Sequence, residues 1–112
     1  MSDRADDVMQ DDLIDEPLRL LNEYEFCLGT LSTTIRIRLY KHLRSGKVVF
    51  KQSHFLKTPD QDAGYRTSVT FGEDEADALH LAKDTLTKYY RQALNAGRRP
   101  QENWLVANPD FA

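Results

Sequence analysis

Between Thr33 and Arg66 the chain carries eight lysines and arginines against two acids, Asp60 and Asp62, a local net charge of +6. Period-two alternation sorts part of this charge. It puts Arg36, Arg38 and Tyr40 on one face of a strand, Lys51, Phe55 and Lys57 on the matching face of the next, and Arg66 on a later strand. Cations interleaved with rings are what a single-stranded nucleic acid requires. The cations replace phosphate counterions, and the rings offer unpaired bases a surface to stack on. Arginine adds stacking and forked hydrogen bonding that lysine lacks. A plainer outcome competes. Glu23 and Glu25 alternate onto the same face of the preceding strand, where they could pair with Arg36 and Arg38 as a charge ladder. A solvated outer face is common in antiparallel sheets.

Other chemistry finds little support. The histidines are His42, His54 and His80, and no Cys or His pair has zinc-ligand spacing. Cys27 has two acidic neighbours at alternate positions, Glu23 and Glu25, and no base near it in sequence, so it reads as a small, semi-buried strand residue. No Gly-rich phosphate loop, GxSxG elbow or Walker sequence is present. Asp60 and Asp62 fit a solvated turn beside Pro59. The expectation is a non-enzymatic chain with no cofactor and no metal ion.

The elements that must position the basic face follow from the same alternation. Tyr24, Phe26 and Leu28 oppose Glu23, Glu25 and Cys27, giving a first strand; Leu18 to Leu21 before it could be a helical turn or an extended lead-in. Thr33 to Leu43 is the clearest strand, and Ser45-Gly46 separates it from Lys47 to Lys57. A two-residue hairpin loop at Ser45-Gly46 would set Ile37 opposite His54, Leu39 opposite Gln52 and Tyr40 opposite Lys51. After a polar loop, Tyr65, Thr67, Val69 and Phe71 form the inward side of a fourth strand. Glu73 to Ala96 reads as a helix with acids in its first turn and Gly97 as its C-terminal stop. Its apolar stripe runs through Leu79, Ala82, Leu86, Tyr89 or Tyr90, and Ala93. The fold class is therefore α+β: a four-stranded antiparallel sheet packed on one long C-terminal helix, ββββα.

A chain of 112 residues holds one domain. Residues 1–16 carry seven carboxylates against Arg4, a net charge of −6, and few large apolar groups, so they read as a disordered acidic leader. Residues 17–112 form the single domain, with an irregular extension from about residue 98 in which Trp104, Leu105, Val106 and Phe111 pack back. No apolar run approaches the ~20 residues that span a bilayer. The leader has no apolar signal core, and Cys27 has no intramolecular partner, so a cytoplasmic location is expected.

From Tyr24 to Gly97 the order of elements and the basic sheet resemble the Pur-repeat and whirly-type single-stranded DNA-binding folds. The resemblance is one of topology and surface composition, and it implies single-stranded DNA or RNA held on the sheet. It transfers no individual residue, so the site is Arg36, Arg38, Tyr40, Lys51, Phe55, Lys57 and Arg66 on their own chemistry. The alternative is a protein-interaction module, homo-oligomeric or partner-recruiting, that uses the helix or an open sheet edge. Tyr89-Tyr90 and the Trp104 segment would be its interface candidates. The acidic leader has two readings of its own: a solubilising tail, or a segment that folds back on the basic face and competes with nucleic acid.

Overall fold

Burial of alternate residues builds the sheet. In the computed structural model, which describes residues 4–61 and 70–111, Ile35, Ile37 and Leu39 of β2 (Ile35–His42) are fully buried. Val48, Phe50 and Gln52 of β3 (Val48–Gln52) are buried beside them. β1 (Leu18–Phe26) pairs antiparallel with the other side of β2, so Leu18 to Leu21 are extended. A bulge between Leu20 and Asn22 interrupts that ladder. A two-residue strand, β5 (Phe71–Gly72), closes the antiparallel order β1-β2-β3-β5. Between β3 and β5 comes β4 (His54–Leu56), which leaves the main sheet and pairs with β6 (Leu105–Ala107) as a separate ribbon. The C-terminal stretch, expected to be irregular, thus forms a short 3-10 turn at Glu102–Trp104 and then a strand.

The β2–β3 register differs from the one expected. Ile37 lies opposite Gln52 and Tyr40 opposite Val49, a slip of two residues, so every side chain keeps the face that alternation assigned. The cause is the loop. His42 N–H bonds the Lys47 carbonyl and Gly46 N–H bonds the His42 carbonyl, leaving four residues, Leu43 to Gly46, in the turn. The His42 ring supports it, its Nδ1 accepting from Ser45 N–H at 3.1 Å.

Phe71 is also a correction: it is exposed on the outer face, opposite Val49. The inward position belongs to its neighbour. Gly72 lies so close beneath the helix that a Cβ there would meet the Ala78 nitrogen at 2.5 Å. Only glycine fits, and strand parity then turns Phe71 outward. The expected Tyr65, Thr67 and Val69 lie outside the described residues.

α2 (Glu75–Asn95) starts two residues later than expected because the Asp74 carboxylate caps it, accepting from Asp77 N–H. It ends in a Schellman arrangement, with Gly97 N–H on the Leu94 carbonyl and Arg98 N–H on that of Ala93. Ala78, Ala82, Thr85, Leu86, Tyr90 and Ala93 are buried on the sheet, which decides for Tyr90 over the half-buried Tyr89. Trp104 closes the far end of this core, its ring edge-on to Tyr90 at 6.0 Å. The fold is thus a four-stranded antiparallel sheet packed against one long helix. No helix among the described residues is long and apolar enough to cross a membrane.

The leader holds a five-residue helix, α1 (Arg4–Val8), and meets the domain through polar contacts around the β2–β3 loop. Gln10 Nε2 donates to the Leu43 carbonyl, the Arg44 guanidinium donates to the Asp11 and Ile14 carbonyls, and Glu16 lies 2.9 Å from His42 Nε2.

Candidate interaction surfaces

The outer sheet face gathers much of the expected site, with its charges already matched. β1 pairs with β2 so that Glu25 stands opposite Arg36 and Glu23 opposite Arg38. Glu25 Oε1 is 3.0 Å from Arg36 Nε and Glu23 Oε1 is 3.1 Å from Arg38 Nε. The alternating glutamates therefore form the charge ladder. Arg38 is further engaged by the C-terminal segment: it donates to the Phe111 carbonyl at 3.2 Å and lies 4.2 Å from the Phe111 ring centre. Hydrogen bonds to Glu23 and Tyr40 hold its guanidinium pKa above the ordinary value. Lys51 Nζ sits 5.2 Å from the Tyr40 ring centre.

The remaining site residues divide. Phe55 lies on β4 opposite Val106, yet it lines with Lys51 a depression of about 330 Å³ that Asn108 and Asp110 also border. Lys57 is exposed farther along, at a separate hollow of about 220 Å³ against Trp104. Arg66 lies outside the described residues. The structure thus gathers Arg36, Arg38, Tyr40, Lys51 and Phe55 on or beside one face, and leaves Lys57 apart.

A second surface was not legible in the sequence. α2 packs over β2, β3, β4 and β5, and β1 lies beyond its flank. The helix-facing side of β1 is therefore one wall of an open groove of about 540 Å³, with Tyr24, Phe26 and Leu28 facing Ala76, Leu79 and Thr87. Its lining is almost wholly apolar. Past Leu28 and Thr87 it runs into a further hollow of about 220 Å³ beside Tyr90, Arg91 and Leu94. Its helix rim carries His80, Lys83 and Arg91; Asp84 lies 3.2 Å from His80 Nε2 and 3.3 Å from Lys83 Nζ. Asn22 crosses the opening at the other end, its Nδ2 donating to Glu75 at 3.2 Å. Cys27 lines the groove and is exposed rather than semi-buried; it lies past the end of β1, its Sγ 3.7 Å from the Ser32 carbonyl.

Compared with protein-family models, curated proteins and solved structures, the chain matches none. The surfaces themselves must carry the functional reading.

Among the described residues no group of three or more Cys, His, Asp and Glu side chains converges to hold a metal ion, and no buried side-chain polar atom lacks a partner. His54 is half-buried, and burial pushes its pKa below the ordinary histidine value. Glu102 is shifted as well. Its carboxylate accepts from Ser32 N–H, from Ser32 Oγ at 2.7 Å and from Thr33 Oγ1 at 3.1 Å, and those bonds hold its pKa below the usual carboxylate value. It fastens the loop after β1 to the turn before β6, a structural task.

The groove escaped sequence reading for a physical reason. Ala76, Leu79, Lys83, Thr87, Arg91 and Leu94 recur at three–four spacing, but beside the stripe that reaches the core. Only the lateral placement of α2 reveals that they face an uncovered strand.

Proposed function

We propose that this chain is a non-enzymatic protein-interaction module whose recognition surface is the groove between β1 and α2. The observation that carries the reading is an apolar trough walled by a strand and a helix, left open because the helix sits over the far part of the sheet. Its volume and lining suit a few apolar side chains of an extended or helical segment. β1 is also an edge strand, so a segment in the trough gains backbone partners as well as apolar cover. Selection of random peptides displayed on phage against the immobilised full chain tests this. Peptides with two or three spaced apolar residues should be enriched, and their binding should be lost with Tyr24→Glu, a half-exposed groove residue. Enrichment indifferent to Tyr24→Glu would overturn the proposal.

A second reading, single-stranded nucleic-acid binding on the outer face, is favoured by one observation. Lys51 stacks on Tyr40 and shares a depression with Phe55, while no carboxylate among the described residues pairs with Lys51 or Lys57. The ladder limits this reading, because two of its arginines already hold glutamates. With Lys51 and Lys57 as the phosphate contacts, log affinity against log salt should slope near −1.4 for a single strand. Fluorescence anisotropy with labelled oligonucleotides at two salt concentrations measures it. No binding at low salt would remove this reading and leave the first untouched.

A further inference from the structure

Among the described residues, two of the places that expose apolar surface differ in charge. One is the groove, whose rim carries His80, Lys83 and Arg91. Beyond Asp84 the cationic character strengthens: from Thr85 to Gln101 the chain holds Lys88, Arg91, Arg98 and Arg99 and no acid. The other is the leader. Leu13 and Val8 are its most exposed large apolar residues, at 93 % and 73 % of their surface, and carboxylates surround them. Asp6 and Glu16 are used at home, on Arg19 and His42. Among the described residues Asp7, Asp12 and Asp15 form no ion pair.

We infer that the groove receives the acidic leader of a second copy of this chain, Val8 and Leu13 entering the apolar trough while the leader's carboxylates face Lys83 and Arg91. The inference rests on the groove being a docking surface, and it names the occupant. Charge complementarity is the first argument: Asp7, Asp12 and Asp15 of the leader meet Lys83 and Arg91 on the rim, where Asp84 offsets only part of the positive charge. The second is that the leader need not leave its own domain. Its contacts to Leu43, Arg44 and His42 are polar, and Val8 and Leu13 project away from them. The third is length. Val8 to Leu13 spans at most ~18 Å of extended chain, and the helix wall from Ala76 to Leu94 is ~27 Å long. Exchange in both directions is a closed two-fold arrangement in which each copy gives one leader and takes one. That doubles the buried area, which one short segment alone would leave small for a stable interface.

Sedimentation equilibrium of the full chain tests the inference. It should show a reversible dimer, weakened about tenfold or more by Leu13→Glu and, separately, by Lys83→Glu. Both residues are exposed, so neither substitution should unfold the domain, and thermal melts check that. The diagnostic result is the mixture. Leu13→Glu keeps an intact groove and Lys83→Glu an intact leader, so mixing them restores one of the two exchanges. The mixture should associate more tightly than either variant does alone, though more weakly than the unaltered chain. A chain monomeric at all concentrations overturns the inference. So does a dimer weakened by Lys83→Glu and indifferent to Leu13→Glu, although that result keeps the groove as an interface and sinks only the leader as its occupant. Peptide selection against the monomer, read through Tyr24→Glu, judges the groove independently.

Discussion

Two glutamates decide how much of the basic face is open to an anion. Glu23 and Glu25 sit opposite Arg38 and Arg36, at ladder positions where opposite charges attract by roughly 0.2–1 kcal/mol. Replacing both with Gln should therefore cost the fold little. It should also free two guanidinium groups, steepening the salt slope for a single-stranded oligonucleotide from near −1.4 to near −2.8. An unchanged slope would show that the glutamates are not what keeps the arginines from phosphate, and would point for Arg38 to its contacts with Phe111. Gly29 carries a different constraint. It holds φ at +56°, and a Cβ there would meet the Tyr90 Oη at 2.0 Å, the atom that accepts from Thr30 N–H. Gly29→Ala should cost ~1–3 kcal/mol, measured by urea denaturation. A loss under ~0.5 kcal/mol would mean that the loop and ring move aside freely. Alternation made the glutamates legible in the sequence, because it puts them on the arginine face. The ring of Phe111 was not: nothing in a run such as Asn108 to Phe111 says that it crosses the sheet to Arg38.

At the level of elements, α2 is the part on which the core depends. Leu86 is fully buried midway along it, so Leu86→Ala should destabilise the domain by ~2–5 kcal/mol in urea denaturation. A loss below ~1 kcal/mol would mean that the helix has room to settle into the space. The helix was nearly legible in full, since its stripe, its acidic first turn and Gly97 are all local signals. Strand parity was legible for the same reason. Register was not, because it depends on how many residues the loop between β2 and β3 consumes. Ser45-Gly46 resembles a two-residue turn, but the His42 ring and the Gly46 N–H enlarge it to four. β4 departs from β3 at Ser53, whose hydroxyl accepts from Arg36 N–H. The strand that draws β4 away, β6, is about fifty residues distant in sequence, out of reach of any periodicity argument.

For the whole molecule, acid should loosen the joint between the C-terminal segment and the body. The Glu102 pKa is depressed in the folded state, so its contribution is complete above the ordinary carboxylate value, ~4.3, and vanishes as pH falls through the lower folded value. His54 acts in the same direction from a higher pH: its pKa is also lowered by folding, so stability declines as pH drops below ~6.5 toward the folded value. Melting temperature should therefore fall in two stages from pH 7 to pH 3.5, and Glu102→Gln should flatten the lower one. An identical lower stage in that variant would assign it elsewhere. Amide hydrogen exchange over residues 4–16 should be fast in the monomer, as the leader's contacts to the domain are polar and surface-lying, and slow in any dimer. The ribbon of β4 and β6 also sets an order of assembly. β2 and β3 close over a four-residue loop, whereas Trp104 and Leu105 reach their places only after the helix has been made and has turned back. Loops of that length close slowly and fix the folding rate more than the stability. During synthesis the sheet and helix accordingly wait for Trp104, with Tyr90 lacking the ring that will cover it. A chain halted before Trp104 therefore presents an incomplete core, with one side of the Tyr90 ring uncovered.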